Sequence, residues 1–266
     1  MNIEVKYMSY IQLKVAFENI TKGVWNVLDD AFKHDISFGE TSISDMILLY
    51  LIKLDNPQIS IKQTKQNEES KFGTDWVWWI GSDNKGWVAF AVQAKKYSTK
   101  NDRYNSLGHK VKGVSQSDIL EIYADSIQAV PIYALYNYVL RKNFRPGITG
   151  LLFNYSENMY GVTLTSLNVV KKAMNMRGCR TFKFINNKVS TITLPDLIRE
   201  TEAYLAKYAD SKNKSKLFEA YPTVHTDIPT NEPIKTKMFV VNSKEEEVEV
   251  QVYAKRQLII NIDNDG

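Results

Sequence analysis

The sequence predicts an α/β fold in which helices flank a central mixed sheet and a β-rich extension follows at the C-terminal end. Apolar residues at helical spacing fill the first part of the chain, and two apolar strands flank a polar turn within residues 73–95. A helical pattern over 116–128 then precedes a strand pattern over 130–136. A helix between two strands is typical of a crossover connection, which makes the two strands parallel within one sheet.

The N-terminal helices come first in this scheme. Apolar positions recur at helical spacing between residues 8 and 33, which predicts one or two helices. A second helical run, 46–52, is preceded by serine, threonine and acidic residues, which is typical of a helix start. This pattern places Glu40 at or just ahead of the N-terminus of that helix.

The predicted strands carry polar residues at their ends. A first strand is expected at 58–65, and the turn at 81–86 joins the two strands of the hairpin. Asp75 begins the first strand of the hairpin, and Gln93 and Lys95 end the second. Because residues i and i+2 of a strand point to the same face, Gln93 and Lys95 project together and Ala94 points to the opposite face.

The second half of the chain is less regular. The sequence predicts a short helix over 167–176, a strand over 182–185 and a helix over 194–208, with an irregular segment bracketed by 147–153 and 161–165. Three short strands are expected at 238–241, 248–253 and 257–262. The predicted organisation is an α/β domain over 1–208 with its core at 30–140, a linker or long loop over 209–235, and the β-rich extension over 236–266.

Composition excludes several classes of function. Cys179 is the single cysteine and there are three histidines, so an intramolecular disulfide and zinc-finger sites are excluded. There is no G-x-x-x-x-G-K-[ST] phosphate loop and no G-x-S-x-G motif.

No run approaches the roughly 18 apolar residues that span a bilayer, and we expect a cytoplasmic protein without a membrane partner. The net charge of +4 permits nucleic-acid binding and equally fits a surface of mixed charge.

The polar strand ends carry the chemistry. A carboxylate, an amide oxygen and an ammonium on neighbouring strands can hold a hard divalent cation beside a nucleophilic water. Each residue also has an ordinary alternative. Asp75 could cap a turn, Lys95 could extend from a strand end into solvent, and Glu40 could cap its helix.

Taken in order, Glu40, Asp75 and Gln93-Ala94-Lys95, followed by a helix and a strand, form an αβββαβ pattern. This pattern resembles the PD-(D/E)xK nuclease superfamily, whose fold is restriction-endonuclease-like, and the resemblance covers residues 30–140. Asp75 matches the family aspartate, Lys95 its lysine, Gln93 its Glu/Gln position and Glu40 its helix glutamate. More narrowly, Glu…Gly-x-Asp-Trp…Gln-Ala-Lys resembles an uncharacterised bacterial group, some of whose members are associated with phage defence.

The resemblance implies a nuclease that hydrolyses phosphodiester bonds with Mg²⁺, for which Mn²⁺ can substitute. Asp75, Gln93 and Glu40 would bind the metal with the Ala94 carbonyl, and Glu69 is a reserve ligand. Lys95 would orient or deprotonate the attacking water. Since Gln93 replaces the commoner glutamate, a module that binds nucleic acid without cutting it is the alternative.

Partner contacts are predicted from the basic segment after Lys95. Its lysines and aromatics could contact phosphates and stack on bases, or form a solvated loop. The candidate nucleic-acid contacts in this segment, with DNA favoured over RNA, are Lys96, Lys100, Arg103, Tyr104 and Lys110. Gln128 ends the predicted helix 116–128. The resemblance implies that it could contact DNA or support the site, as a glutamine in the corresponding helix does in some members of the superfamily, or it could be a helix end with no role. A third hypothesis is a protein-interaction subunit, or a homo-oligomer, that pairs through the C-terminal extension by strand addition.

Overall fold

A computed structural model describes residues 8–63, 74–145, 155–209, 216–228, 236–241, 247–252 and 254–263. Glu69, the reserve ligand, lies outside these residues. Within the described ranges, no helix is both long enough and apolar enough to cross a membrane.

Two helices come first in the chain, and strands and further helices follow them. The helices are α1 (Tyr10–Lys33), α2 (Glu40–Lys53), α3 (Gln116–Ser126), α4 (Leu167–Asn175), α5 (Phe182–Asn186) and α6 (Leu194–Ala209), with 3₁₀ turns at Asn105–Gly108 and Glu157–Tyr160. The strands are β1 (Ile59–Gln63), β2 (Trp76–Ser82), β3 (Gly86–Lys96), β4 (Lys110–Val111), β5 (Val114–Ser115), β6 (Val130–Tyr136), β7 (Val162–Ser166), β8 (Thr191–Thr193), β9 (Thr236–Val241), β10 (Glu247–Val252) and β11 (Arg256–Asn261).

A mixed seven-stranded sheet forms the centre of the fold, in the order β1-β11-β2-β3-β6-β7-β8. The hairpin β2–β3 is antiparallel, and β6 lies parallel to β3 after the crossover through α3. The prediction of a mixed central sheet flanked by helices is therefore confirmed. Glu40 is the first residue of α2, and the 8–33 region forms the single helix α1.

The C-terminal strand β11 lies inside the central sheet. It pairs antiparallel with β1 and parallel with β2, so it separates two strands that follow each other along the chain. The sequence predicted this strand, but as part of an extension. Its position brings the segment around residue 255 to the beginning of β2, which matters for the candidate site.

Two apolar clusters cover the two faces of the sheet. Buried side chains of α1, α2 and α6 pack on one face, and those of α3, α4 and α5 pack on the other. In α1 the buried positions Leu13, Phe17, Ile20, Val24 and Leu28 recur every three or four residues, as an amphipathic helix requires. The face under α3 also receives the odd-numbered residues at the end of β3.

One prediction of secondary structure is wrong. Residues 182–185 form the helix α5 and not a strand, because Thr181 caps the helix by accepting a hydrogen bond from the Phe184 N–H at 3.2 Å. A four-residue apolar pattern fits one helical turn as well as a short strand. Residues 162–166, at one end of the predicted irregular segment, form the buried strand β7. The other end of that segment, 147–153, lies outside the described residues.

Candidate functional site

The candidate site lies where β2 begins and β3 ends. Trp76 pairs with Val92, so the next pair of residues along the two strands is Asp75 and Gln93. Gln93 and Lys95 are both buried on the face of β3 opposite to Ala94, as predicted. A salt bridge joins Lys95 to Glu40 at the start of α2. The structure therefore brings together the four residues Glu40, Asp75, Gln93 and Lys95.

Protein donors hold the Asp75 carboxylate from three directions. Its Oδ2 accepts hydrogen bonds from the Gln93 side-chain amide and from the backbone N–H of Ala94, the latter at 2.9 Å. Its Oδ1 lies 3.4 Å from the Nζ of Lys255, which immediately precedes β11. These contacts fix the orientation of a carboxylate whose side chain is only 17% exposed.

Gln93 leaves a polar atom without a partner. The residue is 2% exposed, and its amide donates to Asp75, while its Oε1 atom is buried and has no hydrogen-bond partner among the described residues. A buried acceptor without a partner costs about 1–3 kcal/mol. An amide oxygen beside a carboxylate is a suitable ligand for a hard cation. The donor set at this point therefore fits a divalent cation.

Lys95 and Glu40 form the second half of the site. Lys95 is 4% exposed, and its Nζ lies 3.8 Å from Glu40 Oε2. The other oxygen of Glu40 accepts from the Lys96 backbone N–H at 2.9 Å and from the Ser106 hydroxyl at 3.0 Å. Lys95 therefore does not extend into solvent. The hydrogen bonds of Glu40 connect it to the end of β3 and to Ser106, which both lie outside its own helix.

The sequence analysis missed Tyr133, a tyrosine beside Gln93. Tyr133 is the register partner of Gln93 on β6, it is fully buried, and its hydroxyl has no hydrogen-bond partner among the described residues. Burial raises the pKa of the Tyr133 hydroxyl, and the charges of Asp118 and Asp75 raise it further. A tyrosine inside an apolar strand is typical of core packing, so the residues around Tyr133 gave no indication of a functional role.

Lys255 was missed for a different reason. It is 180 positions from Asp75 along the chain, and only the insertion of β11 beside β2 brings the two together. The sequence around Lys255 contains no motif. Only the strand order of the sheet shows that Lys255 lies at the site.

One of the predicted nucleic-acid contacts is wrong, and a second lies away from the site. Tyr104 is fully buried and its hydroxyl donates to Asn137 at 2.6 Å, so the prediction that it stacks on a base is wrong. Gln128 lies two residues before β6, where Val130 pairs with Phe90. It is five residues from Tyr133, or roughly 16 Å along a strand. The structure therefore does not bring Gln128 to the site.

The remaining contacts lie near the end of β3. The Lys96 ammonium donates to the Phe38 carbonyl at 2.7 Å; burial lowers the pKa of Lys96, and the charge of Glu40 opposes this effect. Lys100 forms an exposed ion pair with Asp35 at 2.6 Å. Arg103 and Lys110 are exposed.

Comparison with known proteins gives one match. A family model described as "Family of unknown function (DUF6615)" matches residues 13–260. This range includes the four predicted site residues, Lys255, and all but the last residue of β11. No curated protein and no solved structure matches the chain.

Proposed function

The chain belongs to the DUF6615 family, a family of unknown function, and from this premise we propose that it is a metal-dependent nuclease that hydrolyses phosphodiester bonds, in DNA rather than RNA. The observation that carries the proposal is the buried, unpartnered Gln93 Oε1 beside Asp75, on the strand that also carries Lys95. In this proposal α2, β2, β3, α3 and β6 belong to a restriction-endonuclease-like core. Anti-phage defence is the setting suggested by the narrower resemblance, to the uncharacterised bacterial group.

The donor set favours magnesium. Among the residues that the structure describes, no three Asp, Glu, His or Cys side chains come together, so the site offers two carboxylates and an amide oxygen. Mg²⁺ is usually held by one or two carboxylates together with water and substrate phosphate, whereas zinc prefers histidine and cysteine. Asp75, Gln93 and Glu40, with the Ala94 carbonyl, would hold the ion, and Mn²⁺ would substitute.

When bound, the metal would polarise the scissile phosphate and lower the pKa of the attacking water. The chain's own residues would do the rest. The buried ammonium of Lys95 would orient that water and stabilise the charge that develops on the phosphate. The backbone N–H of Ala94 and the side-chain amide of Gln93 would keep Asp75 in position. The backbone N–H of Lys96 and the hydroxyl of Ser106 would do the same for Glu40. The hydroxyl of Tyr133 would bond a water of the site.

A second candidate function is nucleic-acid binding without hydrolysis. It is favoured by one observation, namely that both oxygens of Asp75 already have protein donors while Gln93 adds no negative charge. Such a module would bind DNA through the same cations and would cut nothing. Metal-dependent cleavage separates the two candidates.

The test is cleavage of supercoiled plasmid and of single-stranded DNA by the purified protein in Mg²⁺, Mn²⁺ or EDTA. We expect Asp75→Asn and Lys95→Met to lose about 10²- to 10³-fold in rate, the size of effect that removal of one group stabilising the transition state produces. Matched controls are Asp83→Asn and Lys85→Met. Both lie at the turn of the same hairpin, away from the site. Cutting in EDTA, or equal cutting by Asp75→Asn, would refute the proposal.

A further inference from the structure

A cavity of about 670 Å³ opens between the C-terminal end of α1, the start of α2 and the segment that follows β3. This volume falls within the range of about 300–1,000 Å³ that is usual for small-molecule sites. Glu40 and Lys96 lie in its wall, so the cavity adjoins the candidate site. We propose that this cavity binds one unpaired nucleotide of the substrate, next to the phosphate that is cut. The proposal rests on the proposed nuclease function and names its substrate class.

The wall formed by α1 and Tyr138 suits a nucleobase. Phe32 and Tyr138 are both half-buried, and their ring centroids lie 5.8 Å apart with an angle of 48° between the planes. Leu28, Ala31 and Ile36 extend this apolar wall. Bases stack on aromatic side chains largely without regard to sequence. The sequence predicted that Tyr104 would stack on a base, but Tyr104 is buried away from this cavity. The rings of Phe32 and Tyr138 can provide that stacking contact in its place.

The opposite wall suits a phosphate. An ammonium has three donors, and the described hydrogen bond of Lys96, to the Phe38 carbonyl at 2.7 Å, uses one of them. Lys100 is paired with Asp35 at 2.6 Å, but the two side chains are 70% and 81% exposed. Because such exposed pairs are weak, a phosphate can replace Asp35 at Lys100. Ser98, Thr99 and Asn105 add neutral hydrogen-bonding groups.

The position of the cavity sets the substrate class. A base can enter it only when it is unpaired and unstacked, which costs least in single strands, at ends and at mismatches. Glu40 connects the cavity to the chemistry, since its carboxylate lies 3.8 Å from Lys95 and accepts from the Lys96 N–H at 2.9 Å. The protein should therefore cut single-stranded DNA in preference to uninterrupted duplex.

The test measures binding without cleavage. Calorimetric titration of the full-length protein in EDTA would use deoxyadenosine and thymidine monophosphates, the two nucleosides and inorganic phosphate. The blocking variant is Gly39→Phe, because Gly39 lines the cavity, has φ −81°, and a Cβ there meets nothing within 4 Å. The control is Gly23→Phe. Gly23 lies within α1, where a Cβ also meets nothing within 4 Å, and it is not among the residues that line the cavity.

We expect the monophosphates to bind at least about tenfold more tightly than phosphate or nucleoside, and Gly39→Phe to weaken that binding about tenfold, a difference of about 1.4 kcal/mol. Gly23→Phe should bind as the wild type does. Absence of nucleotide binding, equal binding of free phosphate, or unchanged binding by Gly39→Phe would overturn the inference. Nucleotide binding blocked by Gly39→Phe, in a protein that cuts no DNA with metal, would refute the nuclease and leave the cavity assignment standing.

Discussion

Tyr133→Phe removes a single oxygen atom from the interior, and we expect the protein to become more stable. The hydroxyl is buried and has no hydrogen-bond partner among the described residues. A buried polar group without a partner costs about 1–3 kcal/mol. Removing it should therefore raise the free energy of unfolding by about 1 kcal/mol, at the lower end of that range.

Tyr136→Phe is the matched comparison, three residues further along β6. The Tyr136 hydroxyl is also buried, but it shares a hydrogen bond of 2.9 Å with the Ser44 hydroxyl. Its removal leaves Ser44 without this partner, which should lower the free energy of unfolding by about 1–3 kcal/mol. The same chemical change on the same strand is thus expected to have opposite signs at the two positions.

Thermal unfolding measures both variants. For a protein of this size, 1 kcal/mol corresponds to a change in Tm of about 2–4 °C. Tyr133→Phe should raise the Tm of the metal-free protein by that amount. In the proposed reaction, with metal and substrate bound, it should slow cleavage, because the hydroxyl would no longer bond a water of the site. If Tyr133→Phe lowers the Tm as Tyr136→Phe does, the hydroxyl has a partner within the folded protein and the reasoning fails. A higher Tm with unchanged cleavage would exclude Tyr133 from the reaction.

Three further predictions follow from the same contacts. Lys255→Ala should tighten Mn²⁺ binding by up to about fivefold in a calorimetric titration, since an ion pair with one solvent-exposed partner, such as that between Lys255 and Asp75, contributes about 0.2–1 kcal/mol. Asn137→Ala should lower the free energy of urea unfolding by about 2–4 kcal/mol, because this fully buried amide bonds two backbone carbonyls and two side-chain hydroxyls. Burial and nearby carboxylates raise the pKa of Tyr138 and of Tyr155 to about 12. These hydroxyls stabilise the folded protein while they are protonated. That stability should be present below pH 10 and lost between about pH 10 and 12, so the Tm should fall over this pH range. Replacing both tyrosines by phenylalanine should make that fall in Tm smaller.

Each of these predictions has a control within the chain. Lys85→Ala, at the turn of the hairpin, should leave Mn²⁺ affinity unchanged. If Lys85→Ala raised Mn²⁺ affinity as much as Lys255→Ala does, the effect of Lys255 would be explained by the protein's net charge and not by its contact with Asp75. Asn143→Ala removes an exposed side-chain bond and should change stability by less than about 0.5 kcal/mol; a comparable loss would count against the buried role of Asn137. Tyr221→Phe, at an exposed tyrosine, should not alter the alkaline transition.

Local patterns predicted the part of the site that local geometry determines. Alternation along β3 is enough to place Gln93 and Lys95 on one face, and the polar turn is enough to align Asp75 with them. A helix start placed Glu40 at the first residue of α2. These features depend on neighbours in sequence, which a pattern can reveal.

The features that the sequence did not predict depend on distant contacts. No local signal states that β11 pairs between β1 and β2, so Lys255 could not be assigned to the site. Tyr104 is buried and donates a hydrogen bond to Asn137, which is 33 positions away along the chain. The short segment 182–185 has a pattern that fits either a strand or a helical turn, and the Thr181 cap favours the helix.

The most direct test of the central claim is the rate of DNA cleavage by wild type and Asp75→Asn, measured side by side across a Mg²⁺ titration and in EDTA. Thermal unfolding would first establish that both proteins are folded. We expect a wild-type rate that rises with Mg²⁺ and saturates, and that is absent in EDTA. The rate of Asp75→Asn should be about 10²- to 10³-fold lower at every Mg²⁺ concentration. A folded wild type that cuts no DNA in Mg²⁺, or a folded Asp75→Asn that cuts as fast as wild type, would contradict the account.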